Sequence, residues 1–300
     1  MPKLRVLFLF LLFIVSSSFA AEFTRDSITI KSSSHHAEFA QNLLLNLNKN
    51  IDKFQRKIGV YPEFKLDIVL AEDSKEYTSF TKNRKGIIEF SNAMYNQKEN
   101  RIYLRSPGEL GSYTKINKVL LHEYIHAFVG YYFQKVPLWF NEGMAVYFSA
   151  DLGYDRELNF IWNRLAGNTL PLNKMVSKYP KNQVEWESFY AKSGLAVKYL
   201  ATKKKANFYR FWEMAEKGNS FPKSFRMVFY QSFQGFSNSF EVYAKRHFHF
   251  GILFASSSLL WGVMPFVFLI AVLRKKLKTR RIAKEWRSEE VEIAEEEHNL

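Results

Sequence analysis

Apolar residues along the first third of the chain recur at two different periods. In residues 35–58, Phe39, Leu43, Leu44, Leu47, Ile51 and Phe54 are spaced by three and four. That spacing predicts one amphipathic helix, with Ser34 as its N-cap. Residues 64–70 alternate instead, which predicts a strand. Residues 27–30 and 101–104 read as two more short strands, the second stopped by Ser106-Pro107-Gly108. A short helix is expected over 76–82. From Tyr113 to about residue 248 the pattern is mostly helical. The outline predicts an α+β fold, with a small mixed sheet and its helices first and a mostly helical lobe after it.

Two apolar runs stand outside this alternation. Residues 6–15 are unbroken apolar, preceded by Lys3 and Arg5 and followed by Ser16, Ser17, Ser18, Phe19 and Ala20. Basic start, short apolar centre and small residues before a cut after Ala20 predict a signal peptide over 1–20, with an uncleaved anchor as the alternative. Residues 250–273 form a second run, 24 residues without a charge. As a helix it would be about 36 Å long, enough for a hydrocarbon core of about 30 Å. Arg274, Lys275, Lys276, Lys278, Arg280 and Arg281 follow it, and by the positive-inside rule that side is cytoplasmic. The expectation is a single-pass protein of the cell membrane, in a bacterial envelope. Residues 21–247 would be an extracytoplasmic domain and 274–300 a cytoplasmic tail, basic then acidic. Membrane lipid around the 250–273 helix is the partner this implies.

Composition narrows the chemistry. The 300 residues include no cysteine, so a disulfide scaffold, a thiolate zinc site and a Cys nucleophile are excluded. Any metal must be held by His, Asp or Glu. The net charge is +14, and residues 21–247 carry most of it, with 33 basic against 22 acidic side chains. No nucleic-acid-binding motif accompanies that charge, so nucleic acid is not an expected partner. Anionic envelope surfaces or acidic substrates fit it better.

Residues 122–126 read His-Glu-Tyr-Ile-His. On a helix, His122 and His126 lie one turn apart on one face and can meet one metal ion. Glu123 projects beside them, placed to take a proton from water at the metal. A chain of this composition would contain His-Glu-x-x-His by chance about 0.01 times. The flanks Leu120, Leu121, Ile125, Phe128 and Val129 predict a largely buried helix, where two His and a Glu need a partner. A third ligand is expected from Leu138-Trp-Phe-Asn-Glu-Gly-Met144, where Glu142 follows His126 by 16 residues. Pro137 suits that helix's start. Gly143 permits its close approach to the first helix. His122, His126 and Glu142 leave one coordination position open, the pattern of a catalytic zinc site. A carboxylate orienting one of the histidines is expected, and Asp151 and Asp155 are the nearest downstream.

The two segments 122–126 and 139–145 together resemble the gluzincin metallopeptidases, in particular their compact peptidase-MA-like domains. The resemblance covers roughly residues 35–245. It implies one Zn2+ ion, a thermolysin-like core and hydrolysis of a peptide or protein substrate. Residues 187–194, which include Tyr190, Lys192 and Gly194, resemble the Tyr-x-Lys-Gly segment of the membrane-alanyl-aminopeptidase branch with one residue inserted. That likeness implies an oxyanion-stabilising role for Tyr190, against the alternative of a packed aromatic. Upstream, Asn92-Ala93-Met94-Tyr95-Asn96 carries Tyr95 where those aminopeptidases carry the Glu that holds a substrate amino terminus. A Tyr does not pair with an ammonium as a carboxylate does. Endopeptidase action is therefore expected over amino-terminal trimming, with residues 101–104 as an edge strand for an extended substrate. The alternative is a non-catalytic, zinc-containing binding or scaffold domain.

Overall fold

The computed structural model describes residues 21–82, 92–180, 183–248 and 257–298. The signal expected over 1–20 lies outside the described residues. The described chain is mostly helical with a small mixed sheet. It divides into two compact units, residues 1–241 and 242–300.

The sheet has five short strands: β1 (Ala21–Arg25), β2 (Ile28–Ser32), β3 (Leu66–Leu70), β4 (Ala93–Asn96) and β5 (Arg101–Leu104). Their order is β1-β2-β3-β5-β4, with β1 and β4 antiparallel to their neighbours and the inner pairs parallel. The inner strands alternate as a two-sided layer must. Ile28, Ile30, Leu66, Ile68, Leu70, Ile102 and Leu104 are buried. Val69 and Tyr103 belong to a separate cluster with Tyr77, Phe80 and Met94. Tyr77 and Phe80 come from α2 (Ser74–Thr81), whose start is capped by Asp73 accepting from the Glu76 amide at 2.8 Å.

α1 (Ala37–Ile58) packs on β1 and β2 and ends at Gly59 in the left-handed conformation. Its buried residues Leu43, Leu44, Leu47, Ile51 and Phe54 are those that the spacing predicts. α3 (Tyr113–Tyr132) packs on α1, β4 and β5. One expectation fails at this sheet. β5 is not an edge: it lies between β3 and β4, and β4 is the outer strand on the side where α3 packs. β4 was not expected as a strand at all, since Ala-Met-Tyr-Asn shows no alternation of polar and apolar residues.

The helical part follows as α4 (Leu138–Phe148), α5 (Tyr154–Leu165), α6 (Gln183–Lys203), α7 (Lys205–Glu216), α8 (Phe221–Phe229) and α9 (Phe233–His247). Apart from Asn141 and Glu142, α4 is apolar or aromatic, and it is largely buried accordingly. Trp139 stacks on Phe236 at 5.5 Å, and Phe140 meets Phe221 edge-on at 4.9 Å. Gly143 makes the closest helix contact, but not the one expected. A Cβ there would lie 2.3 Å from the carbonyl oxygen of Ser193, on α6 rather than on α3.

The second unit contains α10 (Ser257–His298), 42 residues long. Among the described residues, no helix is long and apolar enough to cross a membrane. The apolar part of α10 runs from 257 to 273 and passes without a break into Arg274, Lys275, Lys276 and Lys278. Seventeen residues rise about 25 Å, short of a hydrocarbon core of about 30 Å. Residues 250–256 of the expected span lie outside the described residues. The expected membrane-spanning helix is therefore not seen among the described residues, and the single-pass membrane localisation built on it is not supported.

Candidate metal centre

The site begins with helix geometry. α3 starts at Ser112, whose side chain accepts from the Lys115 amide at 3.4 Å. Its apolar residues Leu120, Tyr124, Ile125, Phe128 and Val129 are buried. His122 and His126 lie one turn apart with ring centroids 4.8 Å apart. After Tyr132 the chain passes through Phe133–Pro137 into α4, which packs against α3. Glu142 lies on α4 with its side chain only 4% exposed. Glu142 Oε2 stands 3.7 Å from His122 Nε2 and 3.6 Å from His126 Nε2.

These three side chains form a group that could hold a metal ion. The separations of 3.6 and 3.7 Å are too long for hydrogen bonds. Donors that share one ion at bond lengths of about 2.0–2.2 Å lie roughly 3.3–3.6 Å apart in a tetrahedral set. Two imidazoles and one buried carboxylate also fit a divalent first-row ion chemically. Burial raises the carboxyl pKa of Glu142, but His126, His122 and the Tyr179 hydroxyl outweigh it and hold the carboxyl below its ordinary value. The third ligand candidate is thus an anion beside two imidazoles.

Glu123 follows His122 on α3 and interacts electrostatically with His126 and Glu142. Its Oε2 accepts from the backbone N–H of Tyr95 on β4 at 2.8 Å. Burial pushes its carboxyl up to about 7, with His126 and the Tyr95 amide opposing and Glu142 adding to the rise. Tyr95 itself turns its hydroxyl away, donating to Asn100 Oδ1 at 2.8 Å. The residue singled out for its side chain thus meets the site through its backbone.

Tyr190 lies on α6, with Trp186 at 5.3 Å and the Arg156 guanidinium 5.7 Å over its ring. Burial first, then the charges of Glu142 and Glu123, push its phenol far above the ordinary value. It therefore remains an O–H donor. The expected carboxylate behind a histidine is not found at Asp151, which pairs with Arg156 at 3.0 Å. His126 Nδ1 is buried with no hydrogen-bond partner.

Sequence reasoning missed Tyr179. Its hydroxyl donates to Glu142 Oε1 at 2.5 Å, from a position 37 residues away. It sits in a non-helical segment with no periodic pattern, so nothing in the sequence marks it. Lys192 proves to be structural: it is buried and pairs with Glu241 on α9 at 2.6 Å.

A pocket of about 410 Å³ opens beside His126. Tyr95, Gln97, Gly130, Lys135, Asn141 and Ser177 are among its lining residues, and among the described residues no acidic side chain lines it.

No protein-family model matches the chain, and no curated protein matches it significantly.

Proposed function

We propose that this chain is a zinc-dependent peptidase of gluzincin type that hydrolyses internal peptide bonds. One observation carries the reading. His122, His126 and Glu142 converge, and the Glu123 carboxylate is held beside them by the Tyr95 amide. Zinc, when bound by those three residues, supplies a Lewis acid that activates water at neutral pH and polarises a carbonyl.

The chain's own groups supply the rest. Glu123 accepts a proton from the attacking water and delivers it to the leaving amine. Tyr190 keeps its proton and donates it in a hydrogen bond to the developing oxyanion. β4 has one edge paired with β5 and lies against α3 on the site side. An extended substrate fits there by strand addition. The pocket beside His126 then receives one of its side chains.

The test uses the full chain loaded with one equivalent of zinc and a broad library of internally quenched peptides. Glu123→Gln should retain one zinc per chain and lose cleavage by about 10²–10⁴-fold. A Glu123→Gln chain that cleaves as fast as wild type refutes the assignment. A zinc-loaded wild type that cleaves nothing in the library favours the binding-domain alternative.

A further inference from the structure

The two oxygens of Glu142 have separate partners. Oε2 faces the two imidazole Nε2 atoms, and Oε1 accepts from the Tyr179 hydroxyl. We propose that Tyr179 is a positioning residue that keeps Glu142 a one-oxygen ligand and so keeps a coordination position open. This role rests on the metal reading of His122, His126 and Glu142.

The phenol is positioned from several directions. Its ring stacks on Trp186 at 4.6 Å and 11°, and Phe189 flanks it at 5.8 Å. The segment that carries it is tied to the same helix as its target. The amides of Leu138 and Trp139 donate to the Val176 and Met175 carbonyls at 2.8 and 2.9 Å. These are first-turn amides of α4, which have no partner within their own helix. Upstream, the Leu172 amide donates to Glu241 at 2.9 Å, and Lys192 Nζ donates to the Leu170 carbonyl at 2.6 Å. Tyr179 and Glu142 therefore share one anchored frame.

The chemistry follows from the carboxylate's two modes. A carboxylate with both oxygens available can bind one ion through both. With Oε1 engaged by a hydroxyl, Oε2 alone is presented. Loss of the hydroxyl would free Oε1 to bind a held ion alongside Oε2, which would raise the coordination number above four and crowd the position that water needs.

Cobalt(II) in the full chain reads this directly, because its visible bands weaken as coordination rises above four. Tyr179→Phe keeps the ring and its stack and removes only the hydroxyl. Its bands should be weaker than those of wild type. Trp186→Phe keeps the hydroxyl and should retain the wild-type spectrum. An unchanged spectrum in Tyr179→Phe overturns the role, as does equal weakening in Trp186→Phe, which would make packing the cause. A wild-type chain that takes up no cobalt overturns the metal reading and this role together. Uptake with an unchanged Tyr179→Phe spectrum overturns this role alone.

Discussion

Replacing Gly143 by Ala tests the contact between α4 and α6 that sets Glu142 in place. Helix propensity alone predicts a gain of about 0.8–1.0 kcal/mol, because Ala is the better residue inside a helix. Packing predicts the opposite sign. The new Cβ would stand 2.3 Å from Ser193 O, 2.7 Å from Val197 Cγ2 and 2.8 Å from Ser193 C. Ordinary contact begins at 3.4 Å, so α4 and α6 must separate by about 1.1 Å, the difference between 3.4 and 2.3. The nearest atom, Ser193 O, is backbone and cannot rotate away. Overpacking of this kind costs about 1–3 kcal/mol, occasionally more. After the propensity gain, a net loss of up to about 2 kcal/mol remains, or up to about 8 °C in Tm for a domain of this size. Glu142 is the preceding residue, so the same displacement should weaken metal binding. Thermal unfolding with and without zinc, and a chelator competition titration, measure both effects. A Gly143→Ala chain at least as stable as wild type, with undiminished metal affinity, refutes the close approach. Gly194→Ala is the internal comparison. Its nearest neighbours are side chains, Val146 at 2.8 Å and Leu152 at 3.2 Å, so its cost should be smaller.

Three other outcomes are expected. Tyr190→Phe should lower kcat by about 10²-fold with KM and zinc content unchanged, and an unaltered kcat would make Tyr190 a packing residue only. Glu241→Ala strands the buried Lys192 ammonium and should destabilise the chain by roughly 1–3 kcal/mol, less than a fully buried pair because Glu241 is 35% exposed. Burial already holds the Lys192 pKa below its ordinary value, opposed by Glu241, so the variant's deficit should be largest at pH values where wild-type Glu241 is an anion and Lys192 is still an ammonium. It should shrink as pH rises through the folded-state pKa and the ammonium becomes neutral, and urea melts across pH check that sign. Lys135→Glu should shift the preferred substrate side chain from acidic toward basic at the subsite beside His126, with zinc content unchanged, and library profiling shows whether it does.

Several parts of the molecule were legible in the sequence because their physics is local. The α1 face follows from residues three and four apart, and the His122–His126 pair follows from one helical turn. Glu142 stood out because a carboxylate between Phe140 and Met144 needs a partner. Other parts were not legible because they depend on neighbours distant in the chain. β4 is a strand because β5 pairs with it, and its outer position comes from the sheet order. The helix that meets Gly143 is chosen by packing, and packing selected α6. The charge-free run at 250–273 suggested a membrane span. In the described fold, its residues from 257 onward continue into a charged helix.

The sequence by itself determined the donor types, the spacing of the two histidines and the absence of any thiol alternative. These are properties of residue identity and helical pitch, and they hold before any tertiary contact forms. Only the tertiary structure decided what surrounds those donors. The Tyr95 amide reaches Glu123, and Tyr179 reaches Glu142 from a segment with no pattern of its own. Hydrogen bonds between distant segments depend on how the chain packs, and packing is a collective outcome that no short window of sequence contains.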